Sequence, residues 1–215
     1  MQKKFLFIIP ARSNSKRLVD KNIKKFNGKP LIYWTIEQAI RFNNYGSIVL
    51  TTDSENIIKE CSSFQDILII KRPKYLATDK ANLIDVVKHV AKKLKFFKNF
   101  IILQPTSPLR KDIDIKNGIK HLNDGANAVM SQSKLQYTSS KLGTIDNYNN
   151  FKILNNKKEN IYAPNGSFFG ANYKWLSKNN SFYNRSVKTF IMPEERSIDI
   201  DYNYQFSMAE ALMKK

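Results

Sequence analysis

The chain starts with a short apolar run, Phe5-Leu6-Phe7-Ile8-Ile9, closed by Pro10, and similar runs recur at 47–51, 67–70 and 100–103. Uninterrupted apolar runs of this length are what strands buried on both faces look like, as in a parallel sheet. Between them the period changes. Ile32, Ile36, Ala39 and Ile40 follow Pro30, a residue tolerated in a first helical turn. Asn82 can cap a helix whose Leu83, Val86, Val87, Val90, Ala91 and Leu94 form one stripe, with Lys88, Lys92, Lys93 and Lys95 on the other face. Strands and helices alternating in this way predict an α/β fold, a parallel sheet covered by helices on both sides.

The second half is less regular. Residues 126–131 predict a fifth strand, whereas 134–161 are rich in Asn, Lys and Tyr with little periodicity. That stretch is expected to be an inserted arm or hairpin protruding from a single domain spanning 1–215. The chain is expected to re-enter the core at 167–169 and 187–192, and to finish in a helix over 203–213.

Composition removes several classes. With 42% hydrophobic and 12% aromatic residues the chain can form a sizeable core, so it is not a disordered protein. Its single cysteine, Cys61, provides neither a disulfide framework nor a zinc cluster. No apolar stretch approaches the roughly 18 residues that span a bilayer, so a soluble, cytoplasmic protein with no membrane partner is expected. The net charge of +18 points to an anionic partner: nucleic acid, anionic lipid or a phosphate-rich small molecule. Nucleic acid is disfavoured, because no recognition motif and no basic face interleaved with aromatics is present. A Gly-x-Gly-x-x-Gly or Walker pattern is also missing, which disfavours dinucleotide dehydrogenases and P-loop ATPases. His89 and His121 lack the partners of a triad or a metal site, and Cys61 has no nearby base.

In open parallel sheets, ligands bind beyond the carboxyl ends of the strands. After the first strand comes Ala11-Arg12-Ser13-Asn14-Ser15-Lys16-Arg17, continuing to Lys21-Asn22; after the fourth comes Gln104-Pro105-Thr106-Ser107-Pro108-Leu109-Arg110. Such loops suit a triphosphate, since Arg and Lys neutralise charge while hydroxyls and amides direct the oxygens. Arg12, Lys16, Lys21, Arg72 and Arg110 are the cations expected to converge there. Asp199-Ile200-Asp201 places two acids on one side of an extended segment, able to hold a magnesium ion alongside substrate phosphates. Equally, Asp201 or Asn203 can cap the last helix and leave Asp199 merely exposed.

Several blocks occur in a telling order: Ile8-Ile9-Pro10-Ala11-Arg12 through Ser15-Lys16 and Lys21-Asn22; Gly28-Lys29-Pro30-Leu31-Ile32; Lys71-Arg72-Pro73 with Leu76-Ala77 and Asp79; the block from Gln104 to Arg110; Pro164-Asn165-Gly166; and Ser197-Ile198-Asp199-Ile200-Asp201. Together they resemble the acylneuraminate cytidylyltransferases, or CMP-sialic acid synthetases, a group that includes CMP-nonulosonate synthetases. The resemblance implies a Rossmann-like, mostly parallel sheet of the nucleotide-diphospho-sugar transferase type, with a short dimerisation arm. It also implies an enzyme in which the anomeric hydroxyl of a 2-keto sugar acid attacks the α-phosphate of CTP and expels pyrophosphate. Arg12 and Lys21 would stabilise the developing phosphate charge. Asp199 and Asp201 would hold Mg²⁺, and one of them would also accept the sugar's proton.

By the same resemblance, Ala11, Arg12, Ser15, Lys16, Asn22, Arg72 and Asn82 would bind the nucleotide, while Gln104, Thr106, Ser107, Asn165 and Phe169 would line the sugar pocket. Phe182 and Tyr183 match residues that close the pocket of the other subunit in a homodimer. The chain departs from the family pattern in three places. Ser13-Asn14 stands where Gly-Gly is usual, Phe169 where Tyr is usual, and the arm over 134–161 is shorter and lacks a Pro-Arg-Gln stretch. Arg17-Leu18 is similar to the 3-deoxy-manno-octulosonate cytidylyltransferases, which perform the same chemistry on another sugar acid.

Overall fold

The computed structural model describes residues 4–13, 17–94, 96–155 and 157–214. Its strands are β1 (Phe5–Pro10), β2 (Lys25–Phe26), β3 (Lys29–Pro30), β4 (Gly46–Thr52), β5 (Ile67–Lys71), β6 (Asn99–Ile102), β7 (Ala128–Thr138), β8 (Gly143–Ile145), β9 (Phe151–Ile153), β10 (Asn160–Asn172) and β11 (Lys188–Ile191). The α-helices are α1 (Leu31–Ile40), α2 (Glu55–Cys61), α3 (Leu83–Lys93), α4 (Asp112–Asn123), α5 (Tyr173–Lys178) and α6 (Asn203–Met213). Seven strands form one sheet in the order β11-β7-β10-β6-β1-β4-β5. β1, β4, β5 and β6 run parallel, as do β7 and β11, while β10 runs against both its neighbours.

β1 lies inside the sheet, and its alternate side chains feed two separate cores. Phe5, Phe7 and Ile9 pack with Ile32 and Ile36 of α1, Ile57 of α2, and Ile115 and Ile119 of α4. Leu6 and Ile8 pack on the opposite face with Ile84, Val87 and Val90 of α3 and with Trp175 and Leu176 of α5. Burial on both faces is why the run carries no polar alternation; each such side chain contributes about 1.5–3 kcal/mol. The stripe on α3 faces the sheet as its spacing predicts, and Asn82 caps the helix by accepting from the Ile84 N–H at 2.9 Å. α6 belongs to a third cluster, in which Phe206 and Ala209 pack against Leu18, Phe26, Leu31, Leu109 and Ile200. The final helix thereby pins the segment before it to the loops after β1 and β6.

Residues 134–161 are more regular than their composition suggests. β7 and β10 continue together through Ser133 opposite Ala163 and Thr138 opposite Asn160, and β8 and β9 form a small hairpin at the tip. Both faces of this arm meet solvent, so no buried side imposes a period of two on its sequence.

Candidate active site

The chain emerging from β1 stays in the sheet for one more residue, where Ala11 donates its N–H to the Thr51 carbonyl at 3.0 Å and buries its methyl group. Arg12 then turns outward and pairs with Asp79 at 2.6 Å. The Ser13 N–H and hydroxyl both donate to Asp53, just past β4, at 2.9 and 2.6 Å. Asp20 takes left-handed geometry (φ 51°), turning the chain into a short 3₁₀ segment, Lys21–Ile23, that buries Lys21 and Asn22. The Asn22 amide donates to the Arg12 carbonyl at 3.2 Å, closing the loop on itself.

Lys21 brings the beginning and end of the chain together. Its ammonium donates to the Ile200 carbonyl and, at 3.0 Å, to Asp201 Oδ1, while Arg17 donates to Asp201 Oδ2 at 3.2 Å. Arg17 also lies 4.9 Å from the centre of the Tyr202 ring. The segment carrying Asp199 and Asp201 is fixed from several sides. The Ile200 N–H donates to the Thr106 carbonyl at 2.8 Å, and the Gln205 side chain accepts from the Asp201 and Tyr202 N–H groups at 2.7 and 2.8 Å. Gln205 therefore supplies the helix cap, and Asp201 remains directed at the cations.

The antiparallel strand β10 lies behind Asp199 and Gln104. Between Pro164 and Phe169 its register with β7 slips, and the extra residues form a bulge. Asn165 organises it, accepting from Ser131 Oγ at 2.5 Å and the Ser167 N–H at 3.2 Å and donating to Ser197 Oγ at 2.9 Å. Gly166 has φ +72°, and a Cβ there would stand 2.9 Å from both Asp199 Oδ2 and Gln104 Oε1. Only glycine lets the backbone approach these two groups so closely.

These elements enclose a cleft of about 600 Å³. It gathers Arg12, Lys21, Asn22, Arg72, Gln104, Thr106, Asp199 and Asp201 from the residues expected of the site. Leu76, Ala81, Leu83 and Val86 give one end an apolar lining. Burial lowers the pKa of Arg72, an effect opposed by nearby Asp53 and reinforced by the charge of Arg12. Burial raises the pKa of Asp199; Asp201 adds to the shift, and the Thr106 hydroxyl and Lys21 oppose it. Asp199 Oδ1 is buried with no hydrogen-bond partner among the described residues, and Arg72 Nε and Ser107 Oγ are likewise unpartnered. An orphaned, buried carboxylate oxygen beside a second acid fits a cation. Asp201 differs, since both of its oxygens already accept from basic side chains.

Other expected residues stand behind or beside the cleft. Ala11 and Ser107 are buried beneath its loops, and Asn165 spends its amide on the bulge. Asn82 caps α3 and donates to the Asn180 carbonyl. Phe169 and Phe182 pack on each other with ring centres 5.0 Å apart inside the second core, whereas Tyr183 is 69% exposed. Ser15 and Lys16 lie outside the described residues.

The expectation that Arg110 joins the cations of the cleft is overturned. Arg110 is buried, donating to the Ser167 carbonyl at 2.6 Å and Gln38 Oε1 at 2.8 Å, and burial pulls its pKa down to about 9. It braces the bulge from behind, because residues following β6 turn back into the core after Thr106. Arg17, Asp53 and Asp79 were not singled out as site residues from the sequence. For Asp53 the signal was its place directly past the carboxyl end of a parallel strand.

Cations after β1 and β5 facing an acidic pair across the strand ends define a nucleotide-handling α/β site of the nucleotidyltransferase kind. The chain belongs to the cytidylyltransferase family, whose model matches residues 6–214. It is 34% identical to an N-acylneuraminate cytidylyltransferase of Escherichia coli O18:K1:H7, over 100% of this chain and 53% of that protein. It is 32% identical to a CMP-N,N'-diacetyllegionaminic acid synthase of Legionella pneumophila, over 98% of this chain and 97% of that protein. The chain thus spans about half the length of the E. coli relative and nearly all of the Legionella one. In fold it is similar to a CMP:2-keto-3-deoxy-manno-octonic acid synthetase solved with CTP, at a TM-score of 0.77 and 17% identity, covering 98% of each chain.

Proposed function

We propose that this protein transfers a cytidylyl group from CTP to a 2-keto sugar acid of the nonulosonic type, releasing pyrophosphate. The observation that carries this reading is one cleft that gathers Arg12 and Arg72 with Asp199, Asp201 and the Lys21 bonded to Asp201. The relatives' names supply the nucleotide and the sugar class; the cleft supplies matching chemistry. In the reaction, the anomeric oxygen forms a bond to the α-phosphorus as the bond to the pyrophosphate oxygen breaks. Arg12 and Lys21 stabilise the charge gathering on the phosphates. One of the two carboxylates, Asp199 or Asp201, accepts the proton of the attacking hydroxyl. The apolar end formed by Leu76, Leu83 and Val86 receives the base, and Gln104 and Thr106 face the sugar.

Asp199, with Asp201 sharing its oxygens, would hold the Mg²⁺. When bound, that ion supplies charge neutralisation at the triphosphate. Pairing of two copies through the arm is part of the same proposal. Tyr137, Ile145, Phe151, Ile153 and Leu154 leave apolar surface exposed there, and Tyr183 is free to reach outward while Phe182 is not. Among the described residues no helix is long and apolar enough to cross a membrane. A cytoplasmic setting suits a chain whose only cysteine is a buried thiol.

The double substitution Asp199→Ala/Asp201→Ala tests the assignment. CMP-sugar formation should fall by about a thousandfold or more with the circular dichroism unchanged, on the scale of losing the main charge-stabilising groups of an active site. Substantial turnover by a folded double variant would remove the acidic pair from the mechanism.

A further inference from the structure

The loop after β1 has Ser13 at a position where glycine would give the backbone its freedom. Ser13 does not use that freedom: the non-glycine residues with positive φ, among those described, are Asp20, Asn27 and Asn149. Instead it makes two hydrogen bonds to a single carboxylate, N–H to Asp53 Oδ1 at 2.9 Å and hydroxyl to Asp53 Oδ2 at 2.6 Å. Bonds to an ionised acceptor are among the stronger hydrogen bonds available to a loop. The Asp53 charge also acts on Arg72, the buried guanidinium lining the same cleft, whose Nε has no partner among the described residues.

We propose that Asp53 is a positioning residue for the nucleotide. It clasps Ser13, so that Arg12 leaves β1 in a fixed direction, and it balances the charge of Arg72 while that guanidinium waits for an anionic ligand. A side-chain clasp does here what glycine flexibility would otherwise do. Asp53 does not line the cleft and is not a catalytic residue. Its effect reaches the nucleotide through Arg12 and Arg72 alone, so it should act on CTP and leave the sugar untouched.

The inference rests on the CTP reading, and direct binding separates the two. CTP affinity is measured by calorimetry without sugar for the wild type, Asp53→Asn, Ser13→Ala and the double variant, with KM for the sugar followed separately. Asn accepts from the Ser13 N–H but carries no charge and offers the Ser13 hydroxyl only a donor, so Asp53→Asn should weaken CTP binding about tenfold, the effect of losing the charge assistance of the clasp. Ser13→Ala, which removes only a hydroxyl from a loop, should weaken it by a smaller factor. The double variant should be no worse than Asp53→Asn, because both changes break the same clasp. KM for the sugar should not move. Wild-type affinity in either single variant, fully additive losses, or an equal rise in the sugar KM would overturn the clasp while leaving CTP as the ligand. A wild-type protein that does not bind CTP would overturn both.

Discussion

Asp199 is a carboxylate placed where folding alone would not choose to put one, buried with an unpartnered oxygen beside a second acid. Its folded-state pKa lies above the unfolded value, so the folded chain binds the proton more tightly and the charged form opposes folding at neutral pH. Without Mg²⁺, Asp199→Asn should therefore raise the melting midpoint at neutral pH, while activity in the presence of Mg²⁺ is lost. That gain should disappear below about pH 3.5, where wild-type Asp199 is protonated in both states. A variant that melts lower than wild type at neutral pH would contradict this. Asp53 has the opposite sign. Burial would raise its pKa, but the Ser13 bonds and Arg72 bring it below the ordinary value. Its stabilisation is present above the unfolded pKa and lost as pH falls through the folded one. The loops after β1 and β6 could be located in the sequence because they follow strand ends, and the Asp199–Asp201 pair by its spacing, whereas Arg72 was reached only through the family resemblance; the division of labour between Asp199 and Asp201 was not legible. Which oxygen is orphaned and which is paired depends on Lys21 and Arg17 arriving from the far end of the chain.

At the scale of elements, the β10 bulge does the fine positioning. Gly166→Ala would drive a methyl group against Asp199 and Gln104 in a backbone conformation that alanine disfavours. Its effect should fall on turnover far more than on the urea midpoint. Asn165→Ala should do the reverse, costing about 1–3 kcal/mol of stability by removing the acceptor of the buried Ser131 hydroxyl and Ser167 N–H. If Gly166→Ala retains full turnover, the bulge is not part of the site. The strands of the sheet could be read from apolar runs, and α3 from its stripe. The bulge could not, since a register slip leaves no period behind; the arm was expected only as an insertion over 134–161, and its strands could not be read because neither of its faces is buried. Arg110 was misplaced for a related reason: a basic residue after a strand end looks alike whether the loop points into the cleft or turns back into the core.

Across the whole molecule, the net charge of +18 is far larger than one nucleotide needs. Few of these charges line the cleft; most of the rest are spread over helices, loops and the arm, where they contribute a general positive field that steers anions inward. Raising the ionic strength should weaken CTP binding markedly and sugar binding less, because a triphosphate carries more charge and screening sets in over about 10 Å at 0.1 M salt. Equal salt dependence for both ligands would argue against steering. The central claim is the chemistry itself, and pyrophosphate release tests it most directly. With CTP, Mg²⁺ and a panel holding N-acylneuraminic, legionaminic, pseudaminic and 3-deoxy-manno-octulosonic acids, a nonulosonic acid should yield stoichiometric pyrophosphate and CMP-sugar. No pyrophosphate from any member of the panel, by a folded protein, would contradict the account.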